Sequence, residues 1–232
     1  MLDTAKAPMN PAWVSVLRYS CRWAFQAQDE PTAARKVTNA LHLWGAYQEG
    51  IWFARNYDDI SETFYLRQCL ERLEADGTVG QCNDFADLLL CLQTSLGVSD
   101  RVVQRTHPLN VSARVERLPN GHEGVLIDFT THTIDVAPWG DSPPYDGSAR
   151  WVYHQFVIET STALVWDGCL QFHPSYRLAV TGMPRDTEYR DRLVRQYNFL
   201  DTKTGTQVEI ADPAFFWVPT PQSGLIPSIT SQ

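Results

Sequence analysis

Hydrophobic positions in the first half of the chain recur at the spacing of α-helices. Between positions 82 and 96 the apolar residues lie three or four apart, and Gly97 follows as a typical helix end. An apolar stripe predicts a second helix over 61–75. A run of helix-forming residues predicts another over 32–52, with Pro31 well placed for its first turn. We therefore expect the first half to be mainly helical.

The second half of the chain has the short apolar runs that are typical of strands. We expect strands over 101–105, 111–117, 124–129, 151–159 and 164–172, the last two forming a hairpin around a turn at 160–163, and a further amphipathic helix over 184–197. Helices followed by antiparallel strands predict the α+β class. We expect a single domain over residues 1–211, with its core at about 50–175, and a proline-rich, extended or partly disordered tail over 212–232.

The composition narrows the class of function. The 232-residue chain carries a formal net charge of −8, which argues against a general nucleic-acid-binding protein because such proteins neutralise phosphates. The sequence has no run of about 18 apolar residues, so we expect no membrane span. Residues 1–10 lack the apolar core of a secretion signal, which predicts a cytoplasmic location. The five cysteines form no CxxC pair and the histidines are scattered, so the sequence predicts neither a metal site nor a cofactor.

Cys82 is the strongest candidate for chemistry. It lies in the segment GQCNDFA at 80–86, where a glycine turn leads into the apolar helix. The unpaired N–H groups and the dipole of a helix N-terminus stabilise a thiolate, and the same groups can stabilise an oxyanion. A buried structural cysteine would also fit this position, so the assignment depends on a partner base.

His154 is the one histidine of six with a well-placed acidic partner in the sequence. If the hairpin turns at 160–163, the numbers of two residues that pair across it sum to about 321 or 323, depending on the register. In the first register His154 and Asp167, which sum to 321, are direct cross-strand neighbours on one face of the sheet. Asp167 would then fix the imidazole tautomer and leave the other ring nitrogen for Cys82. The alternative is a surface histidine that happens to lie beside a surface aspartate.

These residues resemble the transglutaminase-like superfamily. The letters GQC at 80–82, followed by FA at 85–86, are similar to its nucleophile motif, and the order Cys, His, Asp along the chain is the same. The resemblance implies a papain-like core, in which N-terminal helices carry the cysteine at a helix start and pack on an antiparallel sheet that carries the histidine and the aspartate. It implies that Cys82 is the nucleophile, His154 the general base and acid, and Asp167 the orienting group.

The resemblance covers about 52–172, roughly half of the chain. Animal-type members use an upstream tryptophan N–H as an oxyanion donor, and Trp52 lies in a similar context. Trp23 is a second candidate, and the backbone N–H of Cys82 would contribute in either case. The chain is too short for the flanking β-domains of animal transglutaminases, and it lacks the clustered carboxylates of a calcium site. It therefore looks like a small bacterial-type member.

The expected function is acyl transfer on protein or peptide amides through a thioester on Cys82, of the transglutaminase, deamidase or protease type. The sequence leaves open whether water or an amine accepts the acyl group. Two alternatives also stay open. One is a non-catalytic protein-binding module on the same fold. The other is an effector or toxin domain excised from a larger protein and delivered elsewhere.

Overall fold

The structure is a computed structural model of the full chain. It describes residues 11–46, 57–58, 63–75, 82–106, 115–131, 137–138, 150–171 and 179–221.

The α-helices of the described residues are concentrated before residue 96. They are α1 (Pro11–Trp23), α2 (Glu30–Ala46), α3 (Leu66–Ala75), α4 (Cys82–Ser95) and the short α5 (Arg190–Leu193). α4 has almost the bounds that its apolar spacing predicts, and it ends where Gly97 adopts a φ of +83°. α2 begins before the predicted start because Asp29 accepts a hydrogen bond from the Thr32 N–H and caps the helix. None of these helices is long and apolar enough to span a bilayer.

The strands are short and all pair in antiparallel fashion. They are β1 (Tyr57–Asp58), β2 (Thr63–Phe64), β3 (Arg101–Arg105), β4 (Val115–Arg117), β5 (Glu123–Thr131), β6 (Ala137–Pro138), β7 (Arg150–Trp151), β8 (Gln155–Glu159), β9 (Leu164–Asp167), β10 (Leu170–Gln171), β11 (Val180–Pro184), β12 (Val194–Asp201), β13 (Gln207–Ile210) and β14 (Thr220–Pro221). The predicted α+β class is confirmed.

Two five-stranded sheets contain most of these strands. Sheet I has the order β11-β9-β8-β3-β14, and sheet II has the order β13-β12-β5-β4 with β7 paired to β5. The predicted turn at 160–163 is present in sheet I, because Glu159 pairs with Leu164 and the Ala163 N–H donates to the Glu159 carbonyl. β1 pairs with β2, and β6 with β10, in two small ribbons.

α4 is the central helix of the domain. It packs on β3, β8 and β9 of sheet I, while α1 and α2 pack against it as well. Nearly all its side chains are therefore buried. Helix–helix contact includes polar groups: the Ser20 hydroxyl of α1 donates to the Leu92 carbonyl, and the Ser95 hydroxyl donates to Ser20. The apolar residues of helices and both sheets form one continuous core.

The predicted helix over 61–75 begins later than its apolar stripe suggests. Thr63 and Phe64 are extended and pair with Asp58 and Tyr57, so α3 starts only at Leu66. The predicted helix over 32–52 is described only as far as Ala46, and residues 47–52 lie outside the described residues.

The predicted helix over 184–197 is wrong at both ends. Residue 184 still belongs to β11, a π-helical turn follows at Arg185–Tyr189, and α5 ends at Leu193. From Val194 the chain forms β12, which lies between β5 and β13 in sheet II. Pairing on both sides overrides the helix-like spacing of the sequence.

The segment after residue 211 packs on the domain as far as residue 221. Phe216 is 2% exposed and belongs to the core. Thr220 and Pro221 pair with Arg105 and Gln104, so β14 forms an edge of sheet I. The predicted tail thus contributes both core and sheet, and residues 222–232 lie outside the described part of the chain.

Candidate active site

Cys82 is the first residue of α4 and is half-buried. In an α-helix the N–H groups of the first turn point toward the N-terminus, so those of α4 lie near this residue. All five cysteines of the chain are free thiols, and Cys82 is the one at a helix start next to sheet I. The structure therefore combines partial access with the positive end of a helix dipole at this thiol.

His154 and Asp167 are in contact, although they are not direct cross-strand partners. Val157 pairs with Trp166, and this register places Asp167 opposite position 156 rather than 154. His154 lies just before β8 and reaches Asp167 diagonally, with 2.7 Å from its Nε2 to the Asp167 Oδ2. The hairpin thus has the second of the two expected registers, and the offset of two residues keeps both side chains on the same face.

The Cys82 thiol is close enough to the imidazole of His154 to contribute to its raised pKa. Because Nε2 is engaged with Asp167, the ring nitrogen available to the sulfur is Nδ1. Burial alone would lower the pKa of His154, but the charge and hydrogen bond of Asp167, together with the thiol, raise it to about 10. The environment therefore favours the imidazolium form.

Asp167 is surrounded by hydrogen-bond donors. Its Oδ2 accepts from His154 and from the Tyr189 hydroxyl at 2.8 Å, and its Oδ1 accepts from the Cys169 backbone N–H at 2.8 Å. The side chain of Asp167 is 2% exposed. Three donors compensate the loss of water around this carboxylate.

The backbone and ring of His154 are both held in place. Its N–H donates to the Thr106 hydroxyl, and its carbonyl accepts from the Thr106 N–H, both at 2.9 Å. The Trp151 ring stacks on the imidazole with 5.0 Å between centroids and 27° between planes. Phe156 lies on a nearly parallel plane at 6.4 Å. These contacts leave the imidazole little rotational freedom.

A buried polar chain connects the helix that carries Cys82 to the strand next to His154. The Arg105 Nε donates to the Gln155 Oε1 at 2.7 Å, and the Gln155 Nε2 donates to the Asp87 Oδ2 at 3.2 Å. Arg105 also lies over the Tyr153 ring at 4.8 Å. Since Gln155 follows His154 directly and Asp87 lies on α4, this chain fixes the distance between the two elements.

Sequence reasoning missed Tyr189 and the Gln155–Asp87 chain. Tyr189 lay in a segment predicted as an amphipathic helix, where nothing in the pattern distinguishes it. Asp84 and Asp87 could have been noticed in the sequence, because they are two carboxylates three residues apart in an otherwise apolar run. The structure shows that this stretch of α4 is buried. Asn83 is also completely buried, and its Nδ2 has no hydrogen-bond partner among the described residues.

The oxyanion candidates differ in position. Trp52 lies outside the described residues. Trp23 is the last residue of α1 and packs on Tyr19. It lies about one helical turn after Ser20, whose hydroxyl donates a hydrogen bond to the Leu92 carbonyl. Leu92 is ten residues along α4 from Cys82, which corresponds to about 15 Å of helix rise. That separation does not favour Trp23 as a donor at Cys82.

No group of three or more potential metal-ligating side chains occurs among the described residues.

Comparison with known proteins does not add to this picture. No protein-family model matches the chain, and neither a curated protein nor a solved structure is significantly similar to it. Inferences about function therefore depend on the geometry around Cys82, His154 and Asp167.

Proposed function

We propose that the protein is a cysteine acyl-transfer enzyme that acts on protein or peptide amides through a thioester on Cys82. The observation that carries the proposal is a buried imidazole that is hydrogen-bonded to a buried carboxylate and whose pKa is raised in part by the thiol at the start of α4. The resemblance of the cysteine motif to the transglutaminase-like superfamily supports the same reading and a papain-like arrangement of the core.

The proposed first half-reaction forms the thioester. The Cys82 thiolate, paired with the His154 imidazolium, attacks the carbonyl carbon of an amide. The negative charge that develops on the carbonyl oxygen is stabilised by the Cys82 N–H and the dipole of α4, with Trp52 as a further candidate donor. His154 then gives its proton to the nitrogen, the C–N bond breaks, and ammonia or an amine leaves.

The second half-reaction releases the acyl group. His154, now neutral, takes a proton from water or a primary amine, which attacks the thioester carbon and restores the thiolate. Water gives a carboxylate, as in a deamidase or protease, and an amine gives a new amide, as in a transglutaminase. Asp167 keeps the imidazole in the tautomer with the proton on Nε2 throughout.

The first experiment is alkylation by iodoacetamide at each cysteine, followed by peptide mass spectrometry across pH 5 to 9. Exposed Cys21 serves as an internal reference in every sample. The proposal pairs the Cys82 thiolate with an imidazolium, and thiolates paired in this way react at lower pH than ordinary thiols, so Cys82 should react at pH 6 at least about tenfold faster than Cys21. In His154→Ala this advantage should disappear. Equal rates for Cys82 and Cys21 in the wild type would contradict the proposal.

The second experiment tests turnover. Wild type, Cys82→Ala and the control Cys21→Ala are incubated with glutamine-containing peptides, with and without a fluorescent primary amine. Ammonia release, amine incorporation and peptide cleavage are measured. We expect activity in the wild type and in Cys21→Ala and none in Cys82→Ala. If Cys82→Ala turned over as fast as wild type, the nucleophile assignment would be wrong.

A further inference from the structure

The hydroxyl of Tyr189 and the imidazole of His154 bind the same oxygen of Asp167. The distances to the Oδ2 are 2.8 Å from the Tyr189 hydroxyl and 2.7 Å from the His154 Nε2. The other carboxylate oxygen accepts from the Cys169 N–H. Tyr189 therefore occupies a hydrogen-bonding position immediately beside the imidazole on the carboxylate.

Tyr189 is held rigidly in this position. It is the last residue of the π-helical turn Arg185–Tyr189 and is completely buried. Its ring packs against Phe156 at 5.0 Å and against Trp217 at 6.4 Å. The Trp217 Nε1 in turn donates to Asp186 in the same turn at 2.7 Å. The hydroxyl is thus fixed from both sides and directed at Asp167.

The hydroxyl can act as a donor over the whole working range of pH. Burial, followed by the charge of Asp167, raises the pKa of Tyr189 well above its usual range. Each donor to a buried carboxylate favours the ionised form over the protonated one. The charge and hydrogen bond of Asp167 raise the pKa of His154, so the donors that fix this carboxylate matter for the thiolate–imidazolium pair.

We propose that Tyr189 is a positioning residue, whose hydroxyl holds the Asp167 carboxylate directed at His154. The inference rests on the proposed function, because it assigns a task to Tyr189 within the same Cys82 site. Tyr189 acts through Asp167 and His154 rather than on the substrate. Several titratable groups lie around Asp167 and the adjacent Gly168, on the elements that pack there. They are Tyr189, His154, Cys82, Asp84, Cys169 and His42.

Tyr189→Phe tests this role, because it removes the hydroxyl and keeps the ring. The matched control is Tyr197→Phe. Tyr197 is a buried residue on β12 of sheet II, and its hydroxyl donates to the Pro213 carbonyl. The readout is the rate of Cys82 alkylation by iodoacetamide as a function of pH, with Cys21 as reference and thermal unfolding recorded for each variant.

In Tyr189→Phe we expect the acid limb of the Cys82 rate profile to move up by about one pH unit, since the carboxylate loses a donor that fixes it and supports the His154 imidazolium beside the thiol less well. The rate should fall about tenfold on that limb and stay within about twofold of wild type near pH 8. Tyr197→Phe should lower thermal stability about as much as Tyr189→Phe does, and it should leave the pH profile of Cys82 alkylation unchanged.

Two outcomes would overturn the inference. The profile of Tyr189→Phe could coincide with that of wild type, or Tyr197→Phe could shift its profile by the same amount. Failure of the proposed function has a different signature, because His154→Ala would then leave the Cys82 profile unchanged. If His154→Ala alters the profile and Tyr189→Phe does not, the enzyme proposal stands and the task assigned to Tyr189 does not.

Discussion

Two buried carboxylates of the domain lie in opposite surroundings. Asp167 accepts from three donors, one of them an imidazole that the site keeps protonated. Asp87 has the Gln155 amide as a neutral donor and a second carboxylate, Asp84, close by. Burial and the charge of Asp84 raise the pKa of Asp87 to about 8, although Arg105 and Gln155 act in the other direction.

Asp87 should therefore make folding less favourable as the pH rises. An unfolded aspartate has a pKa of about 3.9, so above about pH 4 the unfolded chain has released a proton that the folded chain keeps up to about pH 8. The folded state then binds more protons than the unfolded state, and the free energy of unfolding falls with rising pH across this window.

Asp87→Asn should remove this part of the pH dependence, because asparagine keeps an acceptor for Gln155 and cannot ionise. We predict that wild type loses stability relative to Asp87→Asn between pH 5 and 8, by up to about 1.4 kcal/mol per pH unit. Urea unfolding at each pH measures the difference. The control is Asp100→Asn, because the hydrogen bond from Ser161 lowers the pKa of Asp100 and keeps it ionised in both states over this range. Parallel curves for wild type and Asp87→Asn would contradict the prediction.

At the scale of elements, the end of β3 determines where His154 lies. Thr106 follows β3 directly and exchanges two hydrogen bonds with the His154 backbone, one through its hydroxyl and one through its N–H. Both residues are buried, so neither group can turn to water instead. The strand neighbouring β8 thus fixes the backbone that carries the imidazole.

Thr106→Val should leave the His154 N–H buried without its acceptor, at a cost of about 1–3 kcal/mol in the free energy of unfolding. Thr106→Ser keeps the hydroxyl and should recover most of that loss. Chemical unfolding of the three proteins tests the expectation, and the Cys82 alkylation rate should fall in the valine variant only. A loss in the serine variant with none in the valine variant would show that packing of the methyl group, rather than the hydrogen bond, is responsible.

The sequence predicts these elements where local pattern and packing agree. α4 follows from its apolar spacing, and the turn at 160–163 follows from the four residues between two apolar runs. Both predictions are confirmed. The register of that hairpin is not determined by the turn alone, which is why His154 and Asp167 meet diagonally. β12 could not be predicted, because its extended form depends on partners more than 60 residues earlier in the chain.

At the scale of the whole molecule, the segment that follows β13 joins the two sheets. Phe216 packs edge to face on Tyr197 and Phe199 of β12 in sheet II. Five residues later the chain is paired to β3 in sheet I. The proline content of this segment predicted an extended tail. Proline content argues against regular helices and strands, but it does not show that a single aromatic ring such as Phe216 is buried.

Phe216→Ala should therefore cost about 3–5 kcal/mol of stability, as expected for truncating a fully buried aromatic side chain. Phe25 is the matched control because it is 70% exposed, and Phe25→Ala should change stability by less than about 0.5 kcal/mol. Urea unfolding monitored by circular dichroism measures both variants. A loss below about 1 kcal/mol for Phe216→Ala would mean that the segment is not part of the cooperative fold.

β14 also determines how one edge of sheet I meets other molecules. The exposed edge of a sheet is a template on which a strand of another chain can pair, and proteins protect such edges with short strands and prolines. Among the described residues, the last strand on this side of sheet I consists of Thr220 and Pro221, and Pro219 precedes them. Neither proline has an N–H to donate, so an incoming strand would find few donors along this border. The segment that contains Phe216 and β14 thus also makes pairing of this edge with a strand of another chain less favourable.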